Sequence, residues 1–98
     1  MTHAGALLRA RDFAGAVAAF DQVLALKGDH APAYIGRGEA LLELKRFEAA
    51  ATAFQFALLL APDGARAHFL MGEALRGLNQ SEAARACYER ALALDPAL

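Results

Sequence analysis

Apolar and small residues recur three to four positions apart along most of the chain, as in Tyr34, Gly38, Leu41 and Leu42, and again in Ala50, Phe54, Ala57 and Leu58. An α-helix turns once in about 3.6 residues, so this spacing gathers them on one face and leaves the positions between to solvent. Short polar runs interrupt the stripes at Arg11-Asp12, Lys45-Arg46 and Asn79-Gln80-Ser81, and stops follow at Gly28, Ala61-Pro62 and Asp95-Pro96. Proline has no amide donor and disfavours helix in the residue before it, so each Pro marks a boundary. The pattern predicts helices over about 2–10, 13–26, 31–43, 47–60, 65–77 and 81–94. Asp12 and Ser81 stand where a side-chain oxygen would cap the following helix.

The stripes repeat. A shift of about 34 residues, a length that suits a two-helix unit, lays Gly38-Glu39-Ala40-Leu41 on Gly72-Glu73-Ala74-Leu75, Glu48-Ala49-Ala50 on Glu82-Ala83-Ala84, and Leu60 and Pro62 on Leu94 and Pro96. The same shift backwards puts Leu7 under Leu41, Phe13 under Phe47 and Phe20 under Phe54. The expected organisation is one all-α domain, 1–98, with a partial repeat over 1–30 and full repeats over 31–64 and 65–98, each full unit a helical hairpin.

Composition narrows the function classes. Small residues drive the 57% hydrophobic content while aromatics reach only 8%, which favours helix. Ten Lys and Arg against eleven Asp and Glu leave a net charge of -1, no footprint for a phosphate backbone, so no nucleic acid is expected. Cys87 stands alone, which excludes an internal disulfide framework and reads as a small core hydrophobe. His3, His30 and His68 lack the spacing of a metal site, and Gly36-Arg37-Gly38 falls inside a helix without the strand a phosphate loop needs. No nucleophile, base and orienting group converge, so neither catalysis nor a cofactor is expected. No apolar run reaches the roughly 18 residues of a membrane span, and the start lacks a basic lead before an apolar run. A soluble chain, cytoplasmic by default, is the expectation, although an upstream signal is compatible with it.

The series Tyr34, Gly38, Leu41, Ala50, Phe54, Ala57, Pro62 and its echo His68, Gly72, Leu75, Ala84, Tyr88, Ala91, Pro96 resembles the tetratricopeptide repeat. Departures are Gly28 in place of proline, Ser81 in place of an aromatic, and His68 where the family usually has a large aromatic. The resemblance implies a solenoid of helical hairpins wound into a right-handed superhelix, here of about two and a half repeats. It also implies a concave groove, lined by the first helix of each unit, that receives a peptide or helix of another protein. On that geometry the groove residues are Leu8 and Arg9 in unit one, Ile35, Gly36, Glu39, Leu42 and Glu43 in unit two, and Arg66, Phe69, Leu70, Glu73 and Arg76 in unit three. Some family members clamp a peptide carboxylate with Lys and Asn, but Ile35, Glu39, Phe69 and Glu73 occupy the matching places, so no such clamp is expected. Glu39 and Glu73 would instead meet a ligand's Lys or Arg while its apolar side chains rest on Ile35, Phe69 and Leu70. The competing reading leaves these carboxylates solvated, or pairs them with Arg37, Arg66 or Arg76 for at most about 1 kcal/mol each.

A second surface points to self-association or docking within a larger repeat protein. Phe56 and Leu59 stand where units one and three carry Gln22 and Ala25, and Arg90 and Ala93, a departure that makes an apolar patch on the convex side. The last hairpin, with Leu75, Tyr88 and the terminal Leu98, has no further helix in the sequence to cover it, so a longer parent array or a homo-oligomer is expected.

Overall fold

The computed structural model describes Leu7 and residues 10–97. Five helices run in order: α1 over Phe13–Leu26, α2 over Ala31–Glu43, α3 over Phe47–Leu60, α4 over Ala65–Gly77 and α5 over Ser81–Leu94, with no strand among the described residues. These bounds coincide with the five expected spans from residue 13 onward. The helix expected over 2–10 lies outside the described residues, apart from Leu7, which is helical, and Ala10, which is in a turn.

Local chemistry sets the ends. Asp12 caps α1 as expected, its Oδ1 accepting from the Gly15 N–H at 3.1 Å. Ser81 does not cap α5: it is the first helical residue, Gln80 takes the cap position, and no side chain bonds the free amides there. His30 caps α2 instead of a hydroxyl or carboxylate, its Nδ1 accepting from the Ala33 N–H at 3.2 Å. The turns inside the hairpins share one design. Arg11, Lys45 and Asn79, equivalent positions of successive units, each take a left-handed φ, at 63°, 61° and 63°. This lets the next amide reach back five positions, from Asp12 to Leu7, Arg46 to Leu41 and Gln80 to Leu75, each at 2.9 Å. The last carbonyls of each first helix are thereby satisfied before the chain reverses.

Hairpins α2–α3 and α4–α5 stack in sequence. α1 packs on α2, α3 on α4, and the first helices α2 and α4 also touch. The core is built from alanine, with Phe20 and Phe54 the two largest fully buried side chains. One cluster joins Ala16 and Phe20 to Ala33 and Ala40, and another joins Leu41, Ala50, Ala51 and Phe54 to Met71 and Ala74. Alanine brings helix axes close, and the rings then need gaps in the facing helix. Phe20 fills the gap at Gly36 and Phe54 the gap at Gly38, where an added Cβ would fall inside the ring. Gly72 repeats the device more loosely, an added Cβ meeting the Tyr88 ring at 2.8 Å. Polar ties join the units as well: the Tyr34 hydroxyl donates to the Gly28 carbonyl at 3.2 Å. His68, the equivalent residue of the next unit, places Nε2 3.0 Å from the Pro62 carbonyl, so the imidazole replaces the expected aromatic in the same role.

Candidate functional site

Because α2 and α4 lie side by side, the residues between their core positions form one continuous face. Ile35, Glu39 and Leu42 on α2 are partly buried there, Glu43 is exposed, and α4 adds Phe69, Glu73 and Arg76. Two open clefts interrupt this face. One, of about 280 Å³, is lined by Leu42, Glu43, Lys45, Phe47 and Glu73. The other, of about 370 Å³, is lined by Phe69, Glu73, Arg76, Tyr88 and Leu92. Glu73 borders both.

The carboxylates are engaged within the chain. Arg66 grips Glu39 in a two-pronged pair, Nη1 to Oε1 at 2.6 Å and Nη2 to Oε2 at 2.8 Å, which ties α4 to α2. Those hydrogen bonds hold the Arg66 guanidinium yet more firmly protonated. Glu39 and Arg66 therefore answer each other instead of standing free for a ligand. Arg37 turns away from both, donating to Asp21 of α1 at 2.5 Å. Glu73 accepts the Tyr88 hydroxyl at 2.7 Å through Oε1. Burial, and then this hydrogen bond, push the Tyr88 pKa up, so the phenol stays a donor. Phe69 lies against Tyr88 with ring centroids 5.4 Å apart, walling one side of the larger cleft.

Several expected positions belong elsewhere. Gly36 is buried under Phe20, not in the groove. Leu70 is partly buried against the cluster of Leu41, Phe54 and Met71, because it falls one position past the groove-facing Phe69 and turns toward α3. Leu75 packs partly buried on that same cluster, so it is not a bare end of the last hairpin. Arg9 and Leu8 lie outside the described residues, and so does Leu98. On α3, Phe56 and Leu59 are 47% and 76% exposed, with Leu60 next in sequence at 44%. Phe56 is already stacked on Tyr34 at 5.4 Å and 22°. Cys87 is half-buried, and burial raises the pKa of its thiol, which disfavours the reactive thiolate.

Sequence reading missed Lys45, Phe47 and Leu92 as lining residues. The repeat itself carried a signal for Leu92, since it is the counterpart of Leu58 of the preceding unit. Phe47 enters the cleft because it lies over Gly77, where α4 has no side chain to keep it away.

Comparison with known proteins agrees with this fold. Tetratricopeptide repeat family models match residues 1–58 and 65–98. No curated protein matches the sequence significantly. Among solved structures, MamA from Desulfovibrio magneticus RS-1 is similar at 34% identity and a TM-score of 0.89, covering 95% of this chain and 52% of its own. The chain thus spans about half the length of that protein. The TPR domain of Arabidopsis OM64 is similar at 28% identity and a TM-score of 0.93, covering 95% of this chain and 77% of its own. The second TPR domain of human RPAP3, solved with the HSP70 peptide SGPTIEEVD, has a TM-score of 0.94 at 22% identity, covering 99% of this chain and 81% of its own. At that identity the likeness concerns the fold. Family match, helix order and repeat packing agree: the chain belongs to the tetratricopeptide repeat family.

Proposed function

We propose that the chain is a protein-interaction module that receives a peptide or helix of a partner on the face formed by α2 and α4. The observation that supports this most is the run of partly covered apolar side chains, Ile35, Leu42 and Phe69, flanked by Glu43 and Glu73 and opened by two clefts. Apolar anchors in a shaped hollow with a few charges at the rim are what concentrates binding energy in small contacts. The tetratricopeptide fold is generally a non-catalytic scaffold, and the RPAP3 domain offers a related precedent with its chaperone peptide.

The charges define the ligand. Arg66 already satisfies Glu39, whereas among the described residues Glu43 meets only the exposed Arg11 at 3.9 Å and Glu73 only the neutral Tyr88 hydroxyl, so these two carboxylates favour a ligand with Lys or Arg next to apolar residues. An acidic tail such as the EEVD of the RPAP3 peptides would meet like charge. A peptide-display selection tests the reading. It should enrich apolar residues neighbouring Lys or Arg, and Leu42→Lys should abolish binding of the selected peptides; enrichment of acidic tails would reject it.

A second reading, self-association through the convex side, is favoured by the exposed Phe56, Leu59 and Leu60 of α3. It expects a mass that rises with concentration and falls to the monomer value in Leu59→Glu.

A further inference from the structure

The smaller cleft is lined by Leu42, Glu43, Lys45, Phe47 and Glu73, and the unit before it shows what chemistry an equivalent place holds. Shifted back by one repeat, Phe47 becomes Phe13, Lys45 becomes Arg11 and Gly77 becomes Glu43. There Arg11 lays its guanidinium over the Phe13 ring, 5.2 Å from the centroid, and reaches Glu43 at 3.9 Å. A planar cation is thus held by an aromatic face and by a carboxylate on the first helix of the next unit. One repeat on, two replacements keep the setting and remove the guanidinium. Lys45 puts a compact ammonium where Arg11 stood, and Gly77 takes away the side chain that would stand over Phe47, since an added Cβ would fall inside that ring. A carboxylate is supplied one turn earlier on α4, by Glu73, and Glu43 lines the same cleft. What remains is a hollow with an aromatic wall, the apolar Leu42, and two carboxylates against one ammonium. Every lining residue lies within 42–73, inside the stack of units two and three.

We infer that this cleft takes the guanidinium of an arginine on the partner's peptide, stacked on Phe47 and paired with Glu43 and Glu73, its methylene stem lying along Leu42. The inference rests on the α2–α4 face being a peptide-binding face, and goes beyond it in choosing arginine over lysine. A lysine head is a compact, strongly hydrated charge that gains from the carboxylates but little from the ring. A guanidinium is flat and weakly hydrated, so it stacks on an aromatic face while its N–H groups fork to carboxylates. Lys45 repels either cation alike, which lowers affinity without altering the preference. Gly77 is a positioning residue: lacking a Cβ, it lets the Phe47 ring lie against α4 and so sets the aromatic wall.

The probes are three capped tripeptides, acetyl-Leu-Arg-Leu-amide and its lysine and citrulline counterparts, titrated into the full 98-residue protein while its backbone amides are followed by NMR. Saturable binding of the arginine peptide is expected, about three- to fivefold tighter than that of the lysine peptide, the size of an exposed cation–π contact. Citrulline, with arginine's shape and no charge, should bind about tenfold more weakly than arginine. In Phe47→Leu, which keeps an apolar side chain against α4, the arginine and lysine peptides should become equal. Glu73→Gln should weaken both cationic peptides alike and leave citrulline unchanged. No saturation by the arginine peptide up to about 10 mM, equal affinity for arginine and lysine in the wild type, or a preference that persists in Phe47→Leu would overturn the inference. Circular dichroism of each variant checks that the helices persist. Failure of the groove reading looks different, as display-selected peptides indifferent to Leu42→Lys. Tripeptides that bind equally whatever their central residue, yet are lost in Leu42→Lys, would leave that reading standing and sink the arginine site alone.

Discussion

Lys45 sits in a left-handed turn at φ 61° without being glycine. A side chain there crowds the following carbonyl, a cost that glycine avoids. Lys45→Gly is expected to stabilise the protein by about 0.5–1 kcal/mol in denaturant unfolding, even though glycine inside a helix would destabilise by a like amount. The opposite sign is expected at Gly38, where an added methyl group would collide with the buried Phe54 ring, so Gly38→Ala should cost about 1–3 kcal/mol. Gly28→Ala serves as the comparison, since its added Cβ would meet only the Leu24 carbonyl at an ordinary 3.6 Å. Tyr88 adds a pH dependence. Its folded pKa is raised above the ordinary value of 10.0, so the native state holds its proton more tightly than the unfolded chain. The associated stability is complete below that value and is lost as the pH rises through the folded pKa. Alkaline unfolding of Tyr88→Phe should therefore show a shallower loss over that range than wild type.

Between elements, the Arg66–Glu39 pair is the clearest polar link from α4 to α2. The arginine side chain is 60% exposed, so water and salt screen it, and a double-mutant cycle with alanine at both positions should give a coupling of under about 1 kcal/mol that shrinks with added salt. The packing of apolar faces has to supply most of the inter-unit stability. Helix bounds were readable because periodicity and prolines act locally: all five described helices fall on the spans predicted from stripes and stops. The hairpin turns were readable in place, at Arg11-Asp12, Lys45-Arg46 and Asn79-Gln80-Ser81, but not in conformation, since the left-handed residues are Arg, Lys and Asn, not the glycine that usually reports such a turn. Ile35 with Phe69, and Glu39 with Glu73, were legible as equivalent positions of α2 and α4 because each pair stands one repeat apart. Leu70 and Gly36 were misplaced, as one step of about 100° around a helix is enough to turn a residue from the groove to the neighbouring unit. The state of the Glu39 carboxylate depends on Arg66, far along the chain, a contact that appears only once the units stack.

At the scale of the whole molecule, the described residues offer two clefts, bordered by Glu73, and a group of exposed apolar side chains on α3, Phe56, Leu59 and Leu60. Binding of a partner's peptide on the α2–α4 face is tested most directly by titrating a display-selected basic and apolar peptide against two proteins, wild type and the variant carrying both Glu43→Lys and Glu73→Lys, with helix content checked in each. The double charge reversal should weaken binding by about tenfold or more while the helices remain intact. Unchanged affinity in a folded variant would contradict a peptide-binding role for this face.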